Sequence, residues 1–419
     1  MESRRFLKAL KVNQFTRMLD DIPSIHDRSQ TIAVADAVGR VLAQDVKSAI
    51  DVPSFPKSAV DGYALKARAT FESNEDQPLT CRIMGAVNMG SPPTAEISND
   101  DECIYVPTGG FIPPGADAMI KIEFTKPVFN EDGVENSIQV FQAVVPGEGV
   151  IPAGADINKD TRILAKDMIL TPARLGILSA AGITSIDAYD RLKCGMFSSG
   201  DEIIEPGEAL SPGHIYDVNS VMVKALLKGA GCEVTSYGIV PDEKAILFDI
   251  FSKALDENDV VLCSGGTSKG TGDLMPILIE DHPGTSIFIH GVRIKPGKPL
   301  IFAVVNEKPV FVLPGNPVSV YMTMIRFVLP KLQDWNRLPR IQPTIKKCHL
   351  AERVYSEFGR LELKPVLIQR DTNGEAIAFP VTKGSETITT LVDAQGYFEI
   401  PENVEILEKG TLIDVVLFE

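Results

Sequence analysis

The feature that most constrains this 419-residue chain is the alternation of strand-like and helix-like segments between residues 191 and 336. RLKCGMFSSGDE reads as a short strand entering a loop, SVMVKALLKGAG as a helix with a glycine stop, and CEVTSYGIV as a strand. EKAILFDIFSKALDEN is an amphipathic helix, DVVLCSGG a buried strand, PVFVLPGNP another strand, and VSVYMTMIRFVLPKL a final helix. Such alternation predicts a mostly parallel sheet with helices on both faces. Ligands bind beyond the carboxyl ends of strands in such sheets. Three strands end in unusual loops there: SSGDE (198–202), CSGGTSKGTGD (263–273) and LPGNP (313–317). They are expected along one edge.

The rest of the chain divides around this region. Residues 1–48 carry apolar residues at helical spacing in FLKALKVNQFTRML and VADAVGRVLAQDV, and residues 147–190 hold turns and a helix, TPARLGILSAAG. Both segments read as partly helical. Between them, residues 49–146 read as short strands joined by Pro/Gly turns. Residues 337–419 are strand-like with turn signals DTNGE, VTKGSE and LEKGT, and predict a small β-barrel or sandwich. The fold class is therefore multidomain α/β plus β.

Composition excludes several function classes. A net charge of −15 disfavours nucleic acid and anionic membranes as partners. No apolar run approaches the roughly 18 residues of a membrane span, and the N-terminus lacks the pattern of a secretory leader. The six cysteines form no C-x-x-C pair, which argues against a zinc site or a disulfide framework and is consistent with a reducing cytoplasm.

The loop at 264–273 is neither a Walker A loop nor a dinucleotide fingerprint. Its hydroxyls (Ser264, Thr267, Ser268) and glycines (Gly265, Gly266) suit an oxyanion, although a tight connection would look the same. Asp201, Glu202, Asp242 and Asp273 all stand where strands hand over to loops. Each alone reads as a cap or a solvated acid; together they form an oxygen set suited to Mg2+ shared with substrate phosphates. Lys295 and Lys298 flank a Pro-Gly turn, and the LPGNP turn (Pro314, Gly315, Asn316, Pro317) precedes a helix. Both suit anionic oxygens. Asp61 in SFPKSAVDGYAL and Thr108 in VPTGGFIPPGADAM read alone as turn residues.

Read together, SFPKSAVDGYAL, VPTGGFIPPGADAMIKIE, SSGDEI, IYDVNS, SGGTSKGTGD, IKPGKP and LPGNPVSV resemble, in the family's order, the MoeA and gephyrin E-domain family of molybdopterin molybdenumtransferases. The resemblance implies an α/β molybdopterin-binding domain, an inserted β domain, an extended helical domain and a C-terminal β-barrel. It implies insertion of molybdate (or tungstate) into adenylylated molybdopterin with release of AMP, dependent on Mg2+. It further implies a cytoplasmic homodimer whose site is shared between subunits, supplied by an upstream adenylylating protein.

Residue by residue, the resemblance assigns catalysis to Asp61, Thr108, Glu202, Asp242, Asp273 and Lys295, with Glu202, Asp242 and Asp273 on the metal. Substrate or oxyanion contacts fall to Asp156, Ser264, Gly265, Gly266, Thr267, Ser268, Lys298, Pro314, Gly315, Asn316, Pro317, Arg360 and Ser385. One departure is Gly291, preceded by His290, where many members carry a basic residue; Arg293 or Lys269 would substitute. Two other readings compete: a non-catalytic molybdopterin-binding scaffold, and a nucleotide pyrophosphatase. The chain has no added N-terminal partner domain, which disfavours the first, and SAVDGYAL disfavours the second.

Overall fold

The computed structural model describes residues 9–267 and 274–418. The chain forms two compact units: one comprises the residues up to Ser29 and from Tyr189 onward, the other Gln30–Ala188.

The first unit is built on a six-stranded sheet ordered Glu233–Val240, Lys193–Ser199, Val260–Ser264, Lys308–Leu313, Ile301–Val305, Thr285–His290. The first four strands are parallel, and Ile301–Val305 is antiparallel to both of its neighbours. Val260–Ser264 is buried at every position, which is why VVLCS runs without polar alternation. Successive side chains point to opposite faces, and each face has its own core. Met196, Leu262 and Phe311 pack with Phe15, Leu227, Phe327 and Trp335. Phe197, Val261, Cys263 and Val312 pack with Leu247, Phe251, Met275 and Ile279.

The register pairs Ser198 with Ser264, and Ser264 with Leu313. The three unusual loops therefore leave adjacent strands at one level.

The expected final helix is interrupted. Pro317–Thr323 and Leu329–Trp335 are α-helical, but Met324–Val328 between them is a π turn. Pro330 lacks an N–H and so cannot continue the regular ladder. Beyond it, five strands (Ile345–Leu350, Leu361–Arg370, Ala376–Pro380, Gly396–Ile400, Leu412–Leu417) close into a barrel, because Leu361–Arg370 pairs with both Ala376–Pro380 and Gly396–Ile400. Its interior holds Cys348, Leu350, Val366, Phe398 and Val415.

The second unit carries a six-stranded sheet ordered Ala118–Lys121, Gly62–Leu65, Glu102–Val106, Leu79–Ala86, Glu135–Val140, Thr125–Phe129. A smaller core gathers Val34, Leu42, Leu164, Leu178 and Ala188 around helix Pro172–Ala180. Thr171 caps that helix by accepting the Arg174 N–H at 3.4 Å.

The helix expected over VADAVGRVLAQDV does not form. Only Val34–Asp36 makes a 3-10 turn, and Gly39 takes a left-handed φ of 75°. The backbone then pairs outward: Gly39 N donates to Leu170 O at 2.8 Å and Leu42 N to Met168 O at 3.0 Å. The apolar spacing was satisfied by burial of Val34, Ala37, Val41 and Leu42 in a looped path; helical spacing is necessary for an amphipathic helix but not sufficient. In the N-terminal segment, helix Val12–Asp20 does form. Among the described residues no helix is long and apolar enough to cross a membrane, and all six cysteines are free and buried.

Candidate active site

At the sheet edge of the first unit, Gly265 has φ 96°, and a Cβ there would lie 2.3 Å from the Ser199 carbonyl oxygen. Its N–H donates to Leu313 O at 3.2 Å. Only a glycine lets the loop pass between two strand ends so closely. Gly266 follows with φ 66°. Ser264 and Thr267 are buried, and the Thr267 carbonyl lies 3.2 Å from His290 Nε2. Ser268, Asp273 and Lys269 lie outside the described residues.

The acids at this edge are only partly brought together. The Asp242 N–H donates to Asp201 Oδ1 at 3.1 Å, and the Ser199 hydroxyl donates to Asp242 Oδ1. Glu202 instead folds back over Gly200: its Oε2 would lie 2.8 Å from a Cβ placed there. Beneath the edge, burial, with the negative charge of Asp242 adding to it, pushes the Cys263 thiol far above its ordinary range. Among the described residues no three His, Cys, Asp or Glu side chains converge to hold a metal. Two or fewer carboxylates nevertheless match Mg2+, which keeps waters and takes its remaining ligands from substrate phosphates. The oxygen-only character of Ser199, Asp201, Glu202 and Asp242 suits a hard cation of the Mg2+, Ca2+ or Mn2+ class.

The LPGNP turn is held from two sides. Asn219 Nδ2 donates to Gly315 O at 2.7 Å. Asn316 Nδ2 donates to Ser385 Oγ at 2.9 Å, and Val318 N to Ser385 O at 3.1 Å. Pro317 opens the helix that follows, where its missing N–H costs nothing. Ser385 therefore reaches the turn although it stands 69 residues from Asn316.

Lys295 is not an unpaired cation. Its Nζ lies 3.3 Å from Glu362 Oε2, and Glu362, only 4% exposed, also accepts Ser356 Oγ at 2.8 Å and Lys364 Nζ at 3.4 Å. A buried carboxylate left without cations is costly, so this pairing keeps Lys295 at the barrel strand Leu361–Arg370. For Lys298 Nζ, no acceptor is found among the described residues. Arg360 donates to Glu357 Oε2 at 3.0 Å.

In the second unit, Asp61 Oδ1 accepts the Thr108 N–H at 2.8 Å. Two further bonds zip the same loops: Ser58 N to Gly110 O and Gly109 N to Ser58 O, both 2.8 Å. Phe55 and Phe111 stack beside them, with centroids 4.7 Å apart. Asp156 is exposed, and its N–H donates to Val52 O at 3.0 Å.

Three contributors to the edge were not assigned from sequence: Ser199, Asn219 and Asp217. Asp217 is buried and accepts the Ser220 N–H at 3.0 Å, capping helix Asn219–Gly229. The signal was present in IYDVNS, but hydrogen-bond partners in distant segments cannot be read from spacing.

Comparison with known proteins agrees with this geometry. Residues 8–182 match the MoeA N-terminal region (domain I and II). Residues 195–334 match a probable molybdopterin binding domain, and residues 347–418 the MoeA C-terminal region (domain IV). A molybdopterin molybdenumtransferase of Haemophilus influenzae is 34% identical over 83% of each chain. One from Bacillus subtilis is 27% identical over 93% of this chain and 90% of its own. The crystal structure of a molybdopterin biosynthesis moeA protein from Pyrococcus horikoshii superimposes with a TM-score of 0.82 at 33% identity, covering 98% of this chain and all of the other.

Proposed function

This chain belongs to the MoeA family, and from that premise we propose that it acts in molybdenum cofactor biosynthesis as a molybdopterin molybdotransferase. In this reading it inserts molybdate, or tungstate, into adenylylated molybdopterin and releases AMP. The observation that carries the reading is the convergence of three loops on one sheet edge, with Gly265 packed against the Ser199 carbonyl and Asp242 bonded to Ser199 and Asp201. An edge of this kind combines N–H donors for oxyanions with hard oxygen ligands, the pairing that a phosphoanhydride and a divalent cation require together.

Asp242 and Glu202, with Asp273, would hold Mg2+. When bound, that ion supplies positive charge between the carboxylates and the phosphate oxygens. The residues of the chain do the remainder. Gly265, Gly266 and the Ser264, Thr267 and Ser268 hydroxyls orient the anhydride oxygens. Lys298 and the Pro314–Pro317 turn grip the oxyanion, and Lys295, held in place by Glu362, neutralises charge as AMP leaves. Positioning and charge neutralisation suffice for such a reaction, with no covalent intermediate on the protein.

The reading includes a homodimer in which Asp61 and Thr108 complete the partner's site, and delivery of substrate by an adenylylating protein. It also includes the four-part division at residues 48, 146, 190 and 336. The test is AMP release from adenylylated molybdopterin with Mg2+, with and without molybdate or tungstate. Oxyanion-dependent release is the expected result. Tight substrate binding without release under every condition would transfer the chain to the scaffold reading.

A further inference from the structure

Asn219 is 7% exposed, and its carboxamide is only half satisfied. Nδ2 donates to Gly315 O at 2.7 Å, while Oδ1 is buried without a partner among the described residues. The carbonyl can only accept, so it fixes which end of the amide faces it. An orphaned buried acceptor opposes folding. Helix capping does not explain the residue, because Asp217 already takes the Ser220 N–H. Packing does not explain it either, since an apolar side chain of similar size would fill the space with no orphan. What Asn219 alone contributes is its hold on the Gly315 carbonyl.

That hold has a geometric consequence. The Gly315 carbonyl and the Asn316 N–H belong to one peptide plane, and in a trans peptide they point in opposite directions. The cis bonds of the structure lie elsewhere, at Pro53 and Pro296. Drawing the carbonyl toward Asn219 therefore turns the Asn316 N–H away from the helix start and outward. Both Gly315 and Asn316 are exposed. The Asn316 side chain is simultaneously tied to Ser385, so the plane is pinned at both ends.

We propose that Asn219 is a positioning residue that locks the Gly315–Asn316 peptide with its N–H presented to a tetrahedral oxyanion. The proposal rests on the reading of the LPGNP turn as an oxyanion grip and adds the element that aims it. Without Asn219 the plane is free to rotate, and a carbonyl oxygen can replace the N–H in the site.

The test uses the full chain, with molybdate as the probe. Asn219→Leu removes both amide ends, so no orphan is left and thermal stability should be kept or raised. Molybdate binding by titration calorimetry should nevertheless weaken by roughly 10- to 100-fold, and the apparent KM for molybdate in AMP release should rise in step while kcat at saturation is largely retained. Asn219→Asp should weaken binding at least as much, because a carboxylate then faces the carbonyl. Ser385→Ala combined with Asn219→Leu should be non-additive in molybdate affinity, since both act on one plane.

A folded Asn219→Leu chain that binds molybdate as tightly as wild type overturns the proposal, as does lost stability with unchanged affinity. Wild type that binds molybdate but releases no AMP counts against the transferase reading alone, and the affinity comparison still judges Asn219. Wild type that binds no molybdate overturns both.

Discussion

The sheet edge of the first unit and the zipped loops of the second make an instructive pair. Both rest on a glycine pressed against a strand and on aspartates near its end. At the sheet edge the loops belong to parallel strands, so their positions are inherited from a sheet buried on both faces. In the second unit the Asp61 and Thr108 loops must hold each other, through the Ser58, Gly109 and Gly110 backbone bonds and the Asp61 carboxylate itself. Through Oδ1, Asp61 clamps the Thr108 N–H and so helps to hold its own loops together. Asp242 Oδ1 instead accepts the Ser199 hydroxyl, a contact within the strand-end loops that ties no backbone N–H.

The largest effects should come from the glycines that define each region. Gly62→Ala places a Cβ 1.9 Å from the Ile120 carbonyl oxygen, and Gly265→Ala one 2.3 Å from that of Ser199. Each should cost more than about 4 kcal/mol, beyond the ordinary range for a substitution. Gly315→Ala meets no atom within 4 Å and should leave the melting temperature almost unchanged. Denaturant melts of the three variants check this, and equal stabilities would break the comparison.

Next, Asp242→Asn should lower AMP release by roughly 100- to 1,000-fold with little change in stability, while Asp61→Asn, which retains an acceptor for Thr108, should keep the second unit folded. Asp61→Ala should cost the second unit about 1 kcal/mol, measurable by hydrogen exchange at Thr108. A greater stability loss in Asp242→Asn than in Asp61→Ala would reverse the assignment of clamp and site.

The smallest effect is a difference in acid sensitivity. In the first unit, burial and then the positive charge of Arg28 hold His26 below its ordinary value of 6.5. Its neutral form is favoured in the fold, so the unfolded chain binds the extra proton and stability falls as pH drops below 6.5. In the second unit, the Asn99 N–H and side chain and the Ser98 N–H lower Glu102 from 4.5 to about 2. Its contribution is complete above 4.5 and is lost as pH falls toward about 2. Hydrogen exchange against pH should therefore show the first unit loosening at the milder acidity. His26→Leu should abolish that early phase; its persistence would locate the cause elsewhere.

Much of the α/β architecture was legible because burial leaves a direct mark on composition. VVLCS and IFAVV are apolar at every position because both faces of the sheet are covered. The segment VADAVGRVLAQDV shows helical spacing without a helix for a related reason: burial of Val34, Ala37, Val41 and Leu42 produces that spacing even where the backbone pairs with residues 168–170. In the site, the Gly loop and the LPGNP turn could be picked out by residue type, since few side chains tolerate such close approach or such a turn. Lys295 could be picked out too, but its partner could not, because Glu362 lies 67 residues away and only strand pairing brings the two together.

The succession of strands and helices along the chain, the chemical kinds of residue at the strand ends, and the family were set down in the sequence itself, because each can be read from composition, spacing and motif. Tertiary structure decided the partnerships: Asp242 with Ser199 and Asp201, Lys295 with Glu362, Asn219 with Gly315. A hydrogen bond depends on distances of a few tenths of an ångström between segments far apart in the chain, and only the packed sheet and barrel set those distances.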